Sequence, residues 1–214
     1  MSKRETYTLM ILLMVLSLIL NRPTKVKTIV VEKPASACLE DVSRQSDWQS
    51  APYELGMALS GGGVKALCHV GVLKALDEQG RKPDILAGVS AGAVVAALYA
   101  DGYSPDSIVD LFEQYGFLDI LSLDWPKGGL LSMNGFKHLL DTLLTAKQFE
   151  DLAIPIKVVA TDFDKGQSVV FDKGPLVDAL VASCSVPILF SPYVIDGVNY
   201  VDGGLLQNLP AFAL

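Results

Sequence analysis

Three patterns of apolar and polar positions follow one another along this chain. Leu9–Leu20 is apolar apart from Ser17, and polar, partly basic stretches flank it on both sides. Thr28–Tyr53 mixes polarities, carries two prolines and shows no periodicity, as a linker does. From Glu54 onward, short apolar runs of strand length alternate with stretches of helical spacing.

That third region predicts a definite order of elements. Glu54–Leu59 reads as a strand, followed by Ser60-Gly61-Gly62-Gly63. A helix over Val64–Gln79 is expected to bury Val64, Leu67, Cys68, Gly71, Val72, Ala75 and Leu76, with Gly80 stopping it. Ile85–Gly88 is a strand, and Ala91–Ala100 a run of helix formers. Ser104-Pro105 places an N-cap and a first-turn proline at the start of a helix reaching Gly116. Phe117–Leu131, which includes Trp125, reads as loop, and Asn134 is expected to cap a helix over Gly135–Leu144. Ile154–Phe163 and Gln167–Asp172 are strands, and Pro175–Ser185 is a helix. Tyr193–Ile195 and Val198–Val201 form a hairpin around Asp196-Gly197, the dipeptide such turns prefer. Strand–helix alternation of this kind predicts an α/β fold with a parallel sheet covered by helices.

The first 27 residues read as a membrane anchor or signal segment, residues 28–53 as a linker, and residues 54–214 as the folded domain. The apolar run has the length of a signal-peptide core and falls short of the ~20 residues of a comfortable span. The first small-x-small site, Ala35-Ser36-Ala37, is too distant for routine cleavage. An uncleaved anchor, aided by Tyr7 and the flanking basic residues, is therefore expected, with a cleaved signal and a secreted or envelope location as the alternative. Basic residues at both ends leave the orientation open.

Charge and cysteine content remove several function classes. Residues 1–50 hold seven basic and five acidic residues, whereas the remainder holds ten basic and nineteen acidic ones, giving the net −7 of the chain. An acidic domain lacks the basic face of a nucleic-acid binder. Cys38, Cys68 and Cys184 are widely spaced and only two histidines are present, so neither a zinc site nor a disulfide framework is expected. Cys68 and Cys184 read as small buried hydrophobes.

The candidate chemistry centres on Gly88-Val89-Ser90-Ala91-Gly92. A strand, a tight turn and a helix with serine at the apex make a Gly-x-Ser-x-Gly nucleophile elbow. A serine nucleophile needs a base, oxyanion donors and a site shaping the acyl group. A histidine triad in the α/β-hydrolase order would have to use His138, inside a predicted helix, because His69 lies upstream in an apolar row. A carboxylate base is the alternative, and Asp202 in Tyr200-Val201-Asp202-Gly203-Gly204 sits at a strand end followed by glycines, although a plain turn has the same composition. Gly61, Gly62 and Gly63 lead into a helix, so their amides can converge on one point as an oxyanion hole requires. Lys65 either anchors that loop, meets an anionic head group, or is simply solvated. As a nucleotide loop the stretch is poor: Gly61-x-Gly63-x-x-Ala66 is a marginal dinucleotide fingerprint, and no Walker lysine closes it.

In this order, Gly-Gly-Gly-Val-Lys-Ala at 61–66, Gly-Val-Ser-Ala-Gly at 88–92 and Asp-Gly-Gly at 202–204 resemble the patatin-like phospholipases. Ala182-Ser183-Cys184-Ser185-Val186-Pro187, Phe190-Ser191-Pro192 and Ala160-Thr161-Asp162 with Gly166 extend the resemblance over Glu54–Pro210. It implies a three-layer α/β/α sandwich with a mainly parallel central sheet, and a hydrolase of lipid acyl esters working without metal or cofactor. Ser90 would be the nucleophile, Asp202 the base, and Gly61, Gly62 and Gly63 the oxyanion hole. Ala66 departs from the family's last loop glycine and Lys65 from its commoner arginine. The family continues into a further strand where this chain ends at Leu214, so a C-terminally truncated domain is expected. The expected partner is a membrane lipid or other acyl ester at a membrane surface, with no nucleic acid. Two other readings are a catalytically poor lipid- or protein-binding member of the same fold and a Ser-His-Asp hydrolase.

Overall fold

The structure, a computed structural model, describes residues 53–115 and 133–214. These belong to one compact unit, Ala51–Leu214. The expected anchor, the linker up to Pro52, the loop containing Trp125 and Cys38 lie outside the described residues.

Among the described residues, six strands and five α-helices follow the predicted order: β1 (Gly56–Leu59), α1 (Leu67–Glu78), β2 (Ile85–Val89), α2 (Ala91–Ala100), α3 (Pro105–Tyr115), α4 (Asn134–Leu143), β3 (Ile156–Asp162), β4 (Gln167–Phe171), α5 (Leu176–Cys184), β5 (Tyr193–Ile195) and β6 (Val198–Asp202). Local chemistry sets several of the boundaries. At the end of α1, the Gly80 N–H bonds the carbonyl of Asp77 (2.9 Å) and the Arg81 N–H that of Leu76 (3.0 Å), the paired bonds of a Schellman cap. Ser104 Oγ accepts the N–H of Ser107 at 3.1 Å, which is the N-cap bond expected for α3. Helix α4 starts one residue earlier than expected, with Met133 at the N-cap and Asn134 already helical. Asp196 (φ 51°) and Gly197 (φ 81°) turn the β5–β6 hairpin.

The sheet corrects the expectation of a mainly parallel arrangement. β1–β2 and β2–β3 are parallel, whereas β3–β4, β3–β6 and β5–β6 are antiparallel, so the sheet is mixed. Apolar strands and hairpin turns specify strand existence but not the partner a strand finds. Strand β3 is the hub. Its residues 158–162 pair with β4, and residues 160–162 pair with β6, so β4 and β6 must use opposite edges. Residues 156–159 pair with β2, overlapping β4, so β2 shares its edge with β6. Along that edge β2 arrives from one end and β6 from the other.

All five helices contribute to one apolar cluster, into which Leu86, Ile156 and Val158 also project. The opposite side chains Ala87, Val89 and Val159 form a smaller cluster with Ala213. The described residues thus place their helices over one sheet face, and the second helical layer of the expected sandwich is not among them. Every residue of α2 is buried, as an all-apolar helix at the centre of a domain should be.

Helix α1 buries a different stripe from the expected one. Ala66, Val70 and Leu73 are 0–1% exposed, while Val64 and Val72 are half exposed and Cys68 is exposed. Apolar side chains lie on both faces of this helix, so spacing alone could not choose between them. Packing against α2 and α3 turns Val70 and Leu73 inward.

Candidate active site

The elbow forms where β2 leaves the sheet. Ser90 takes φ 53° and ψ −130°, a conformation costly for a side-chain-bearing residue and characteristic of functional turns. The flanking glycines have steric work to do. A Cβ on Gly92 would lie 2.5 Å from the carbonyl oxygen of Ser60 and nearer still to that of Leu59. A Cβ on Gly88 would lie 2.7 Å from the backbone nitrogen of Ala93 and nearer still to its Cα. The helix can therefore start directly behind the strand only because both positions lack side chains.

Strand register then decides what stands beside Ser90. Val89 pairs with Val159 at the end of β2, and Asp202 pairs with Ala160 at the end of β6. The C-terminal ends of the two strands meet head to head on neighbouring residues of β3, which brings Ser90 to Asp202. The Ser90 hydroxyl stands close enough to the Asp202 carboxylate to favour its charged form. Asp202 is buried, and its second structural partner is the Gly204 N–H at 2.7 Å. Burial pushes the Asp202 carboxyl above the ordinary carboxylate range; the nearby Ser90 hydroxyl and the Gly204 N–H pull it partly back. Gly203 cannot carry a Cβ either, because it would lie 2.8 Å from the carbonyl carbon of Val159 and closer to its oxygen. The Asp-Gly-Gly stretch is thus a tight passage over β3 that presents a carboxylate.

The glycine loop closes over the same end of the sheet. The Gly61 N–H is taken by the carbonyl of Asn208 (3.3 Å), which ties the loop to the segment after Asp202. Among the described residues, no acceptor is bonded to the N–H groups of Gly62 and Gly63. Gly63 also lines the cavity beside Ser90. Lys65 is exposed on the 3-10 turn Gly63–Ala66, and only its backbone N–H, bonded to the Gly62 carbonyl at 3.2 Å, serves the loop.

Neither histidine reaches the serine through a hydrogen bond. His69 Nε2 lies 3.0 Å from the Ser60 carbonyl oxygen and 3.3 Å from Ser60 Oγ, fastening α1 to the glycine loop. His138 is exposed on α4. Beside Ser90 lies a cavity of about 130 Å³, walled mainly by apolar side chains including Val94, Phe112, Met133, Phe136, Leu189 and Phe190. Cys184 lines it too; burial above all, and then the Asp202 carboxylate, push its thiol well up, so it stays protonated. Asn208, Ser183 and the cavity walls escaped sequence reasoning. Their contribution comes from backbone atoms or from residues distant in the chain.

A mixed sheet with a nucleophile elbow, a converging carboxylate and a glycine loop defines a class of serine-centred α/β sites. The comparisons specify which one. The family model for patatin-like phospholipase matches residues 57–214, and the chain belongs to that family. An uncharacterized NTE family protein of Mycobacterium tuberculosis is 33% identical over 163 residues, covering 75% of this chain and 45% of the relative. Neuropathy target esterase of Drosophila melanogaster is 30% identical over 181 residues, covering 80% of this chain and 12% of the relative. The chain therefore spans less than half the length of these relatives. Among solved structures, VipD from Legionella pneumophila shares the fold at a TM-score of 0.63 and 18% identity, over 75% of this chain and 47% of VipD.

Proposed function

We propose that this protein is a serine hydrolase of fatty-acyl esters in lipids, with Ser90 as nucleophile and Asp202 as its base. The observation that carries the reading is the head-to-head approach of β2 and β6 on one edge of β3, which leaves a serine side chain beside a buried carboxylate. A carboxylate destabilised by burial is a stronger base than one in water, which suits it to accept the serine proton.

In the proposed mechanism the acyl chain lies in the apolar cavity and the ester carbonyl faces Ser90. Asp202 takes the hydroxyl proton as Ser90 Oγ bonds the carbonyl carbon, and the oxyanion receives hydrogen bonds from the Gly62 and Gly63 N–H groups. Gly61 shapes the loop through its bond to Asn208. As the tetrahedral intermediate collapses, the C–O bond to the alcohol breaks and Asp202 returns the proton to the leaving oxygen. Water, deprotonated by the same carboxylate, then cleaves the acyl-enzyme and releases the fatty acid. Residues 1–27 are part of the proposal: they hold the domain at a bilayer, where tethering raises the effective substrate concentration.

The test uses a fluorophosphonate probe and phospholipid vesicles. Labelling and fatty-acid release should both vanish in Ser90→Ala, and labelling that survives this change would refute the nucleophile assignment. A folded parent protein inactive on both vesicles and short-chain nitrophenyl esters would favour a lipid- or protein-binding role instead. Removal of residues 1–27 should abolish co-flotation with vesicles.

A further inference from the structure

In the parallel pairing of β2 with β3, every second β2 residue sends its N–H to the carbonyl preceding its partner on β3. The Leu86 N–H, opposite Ile156, accordingly bonds the carbonyl of Pro155 at 3.1 Å. Two rungs further along, the same rule would send the Ser90 N–H to the carbonyl of Val159. That direct rung is not made. The Ser90 N–H donates instead to Ser183 Oγ at 2.8 Å, and Ser183 Oγ donates to the Val159 carbonyl at 2.7 Å. A side-chain hydroxyl from the last turn of α5 has been inserted into the sheet ladder at the point where β2 departs and β6 arrives.

From this we infer that Ser183 is a positioning residue for the nucleophile, an inference that rests on Ser90 acting as proposed. The hydroxyl is fully buried, so both its partners are obligatory. As one donor and one acceptor in series, it carries the ladder across the gap and lets Ser90 step out of the sheet into its left-handed conformation without orphaning an N–H or a carbonyl. The same helix end holds the other member of the pair. The carbonyl of Ser185 accepts the Asp202 N–H at 2.9 Å, while Thr161 Oγ1 donates to the Asp202 carbonyl at 3.1 Å. Residues two apart at the end of α5 therefore fix Ser90 and Asp202 relative to each other.

The experiment compares full-length parent, Ser183→Ala, Ser183→Thr and Leu176→Ala. The last of these removes a buried side chain at the far end of α5, so it destabilises without touching the ladder. Three readouts are taken: fluorophosphonate acylation rate, the separate kcat and KM for a nitrophenyl ester, and exchange of the Ser90 amide proton. Ser183→Ala should lower acylation and kcat by about 10–100-fold, the scale of an ångström-sized misplacement, with KM little changed. Its Ser90 amide should exchange about tenfold faster, the loss of one ordinary hydrogen bond. Ser183→Thr should restore most of both. If alanine prevents folding, the nearly isosteric Ser183→Cys, a much weaker acceptor, is measured in its place. An acylation rate in Ser183→Ala reduced no further than in Leu176→Ala, or an unchanged Ser90 amide, overturns the positioning role. Activity retained in Ser90→Ala overturns both this role and the proposed function, so the two failures are distinguishable.

Discussion

Alanine at Gly92 is the most discriminating change available, because two physical effects oppose each other there. Gly92 is the second residue of helix α2, where intrinsic propensity alone favours alanine by up to ~1 kcal/mol. Its added Cβ would nevertheless meet two backbone carbonyls, that of Ser60 at 2.5 Å and that of Leu59 closer still. Neither can swing away as a side chain would, since Leu59 ends β1 and Ser60 leads into the glycine loop. Overpacking of this kind costs about 1–3 kcal/mol in well-packed sites, and a backbone-on-backbone obstacle belongs at or above the top of that range. A net loss of about 2 kcal/mol is expected, equivalent to a Tm lowered by roughly 4–8 °C for a chain of this length. Gly71→Ala supplies the matched control: it is also helical, nothing lies within 4 Å of its added Cβ, and it should raise stability by about 0.5–1 kcal/mol. Thermal unfolding of the full-length variants by circular dichroism measures both. A Gly92→Ala protein melting at or above the parent, beside a Gly71→Ala protein that rises as expected, would show that the elbow is not held by backbone contact.

The remaining predictions concern the serine's partner and the cavity. Asp202→Asn should reduce turnover by more than ~10³-fold, whereas His138→Gln should be nearly silent and His69→Gln should cost less than ~10-fold through a looser Ser60 loop; a histidine effect equal to the aspartate effect would restore a histidine base. Because burial raises the Asp202 pKa, the acidic limb of kcat/KM should lie above the ~3.9 of an ordinary aspartate, and the limb should disappear with Asp202. The same shift has a stability consequence. The folded state holds this proton more tightly than the unfolded chain, so the associated stability is present below the unfolded pKa and is lost as pH rises through the folded one. Asp202→Asn should therefore melt higher than the parent at neutral pH, with the gap closing near pH ~4 in denaturation curves. Val94→Phe fills part of the 130 Å³ cavity and should depress hydrolysis of long-chain esters far more than that of acetyl esters, as measured by a chain-length series.

Much of this domain is legible locally. Ser104 caps α3, Gly80 closes α1 and Asp196-Gly197 turns the last hairpin, each through contacts within a few residues, and these elements appear where the chain chemistry puts them. The misreadings have a common cause. The face of α1 that would be buried could not be chosen while both faces were apolar, and Cys68 went to solvent on the side that lost. The orientation of β6 was equally open, because a hairpin strand pairs with its hairpin partner whichever way the hairpin then docks.

What the amino-acid order alone determined is the set of places where the backbone must do something only glycine permits: the elbow around Ser90, the loop before α1 and the passage after Asp202. Those constraints are short-range, and a reader of the chain can find them. Only the tertiary structure decided that Ser90 and Asp202 are neighbours. That decision is made by register on β3, where β2 ends opposite Val159 and β6 ends opposite Ala160. Ser90 is tied to that edge by Ser183, whose hydroxyl completes a hydrogen-bond ladder that no pattern in the chain reveals, since both of its partners are backbone atoms far away in sequence.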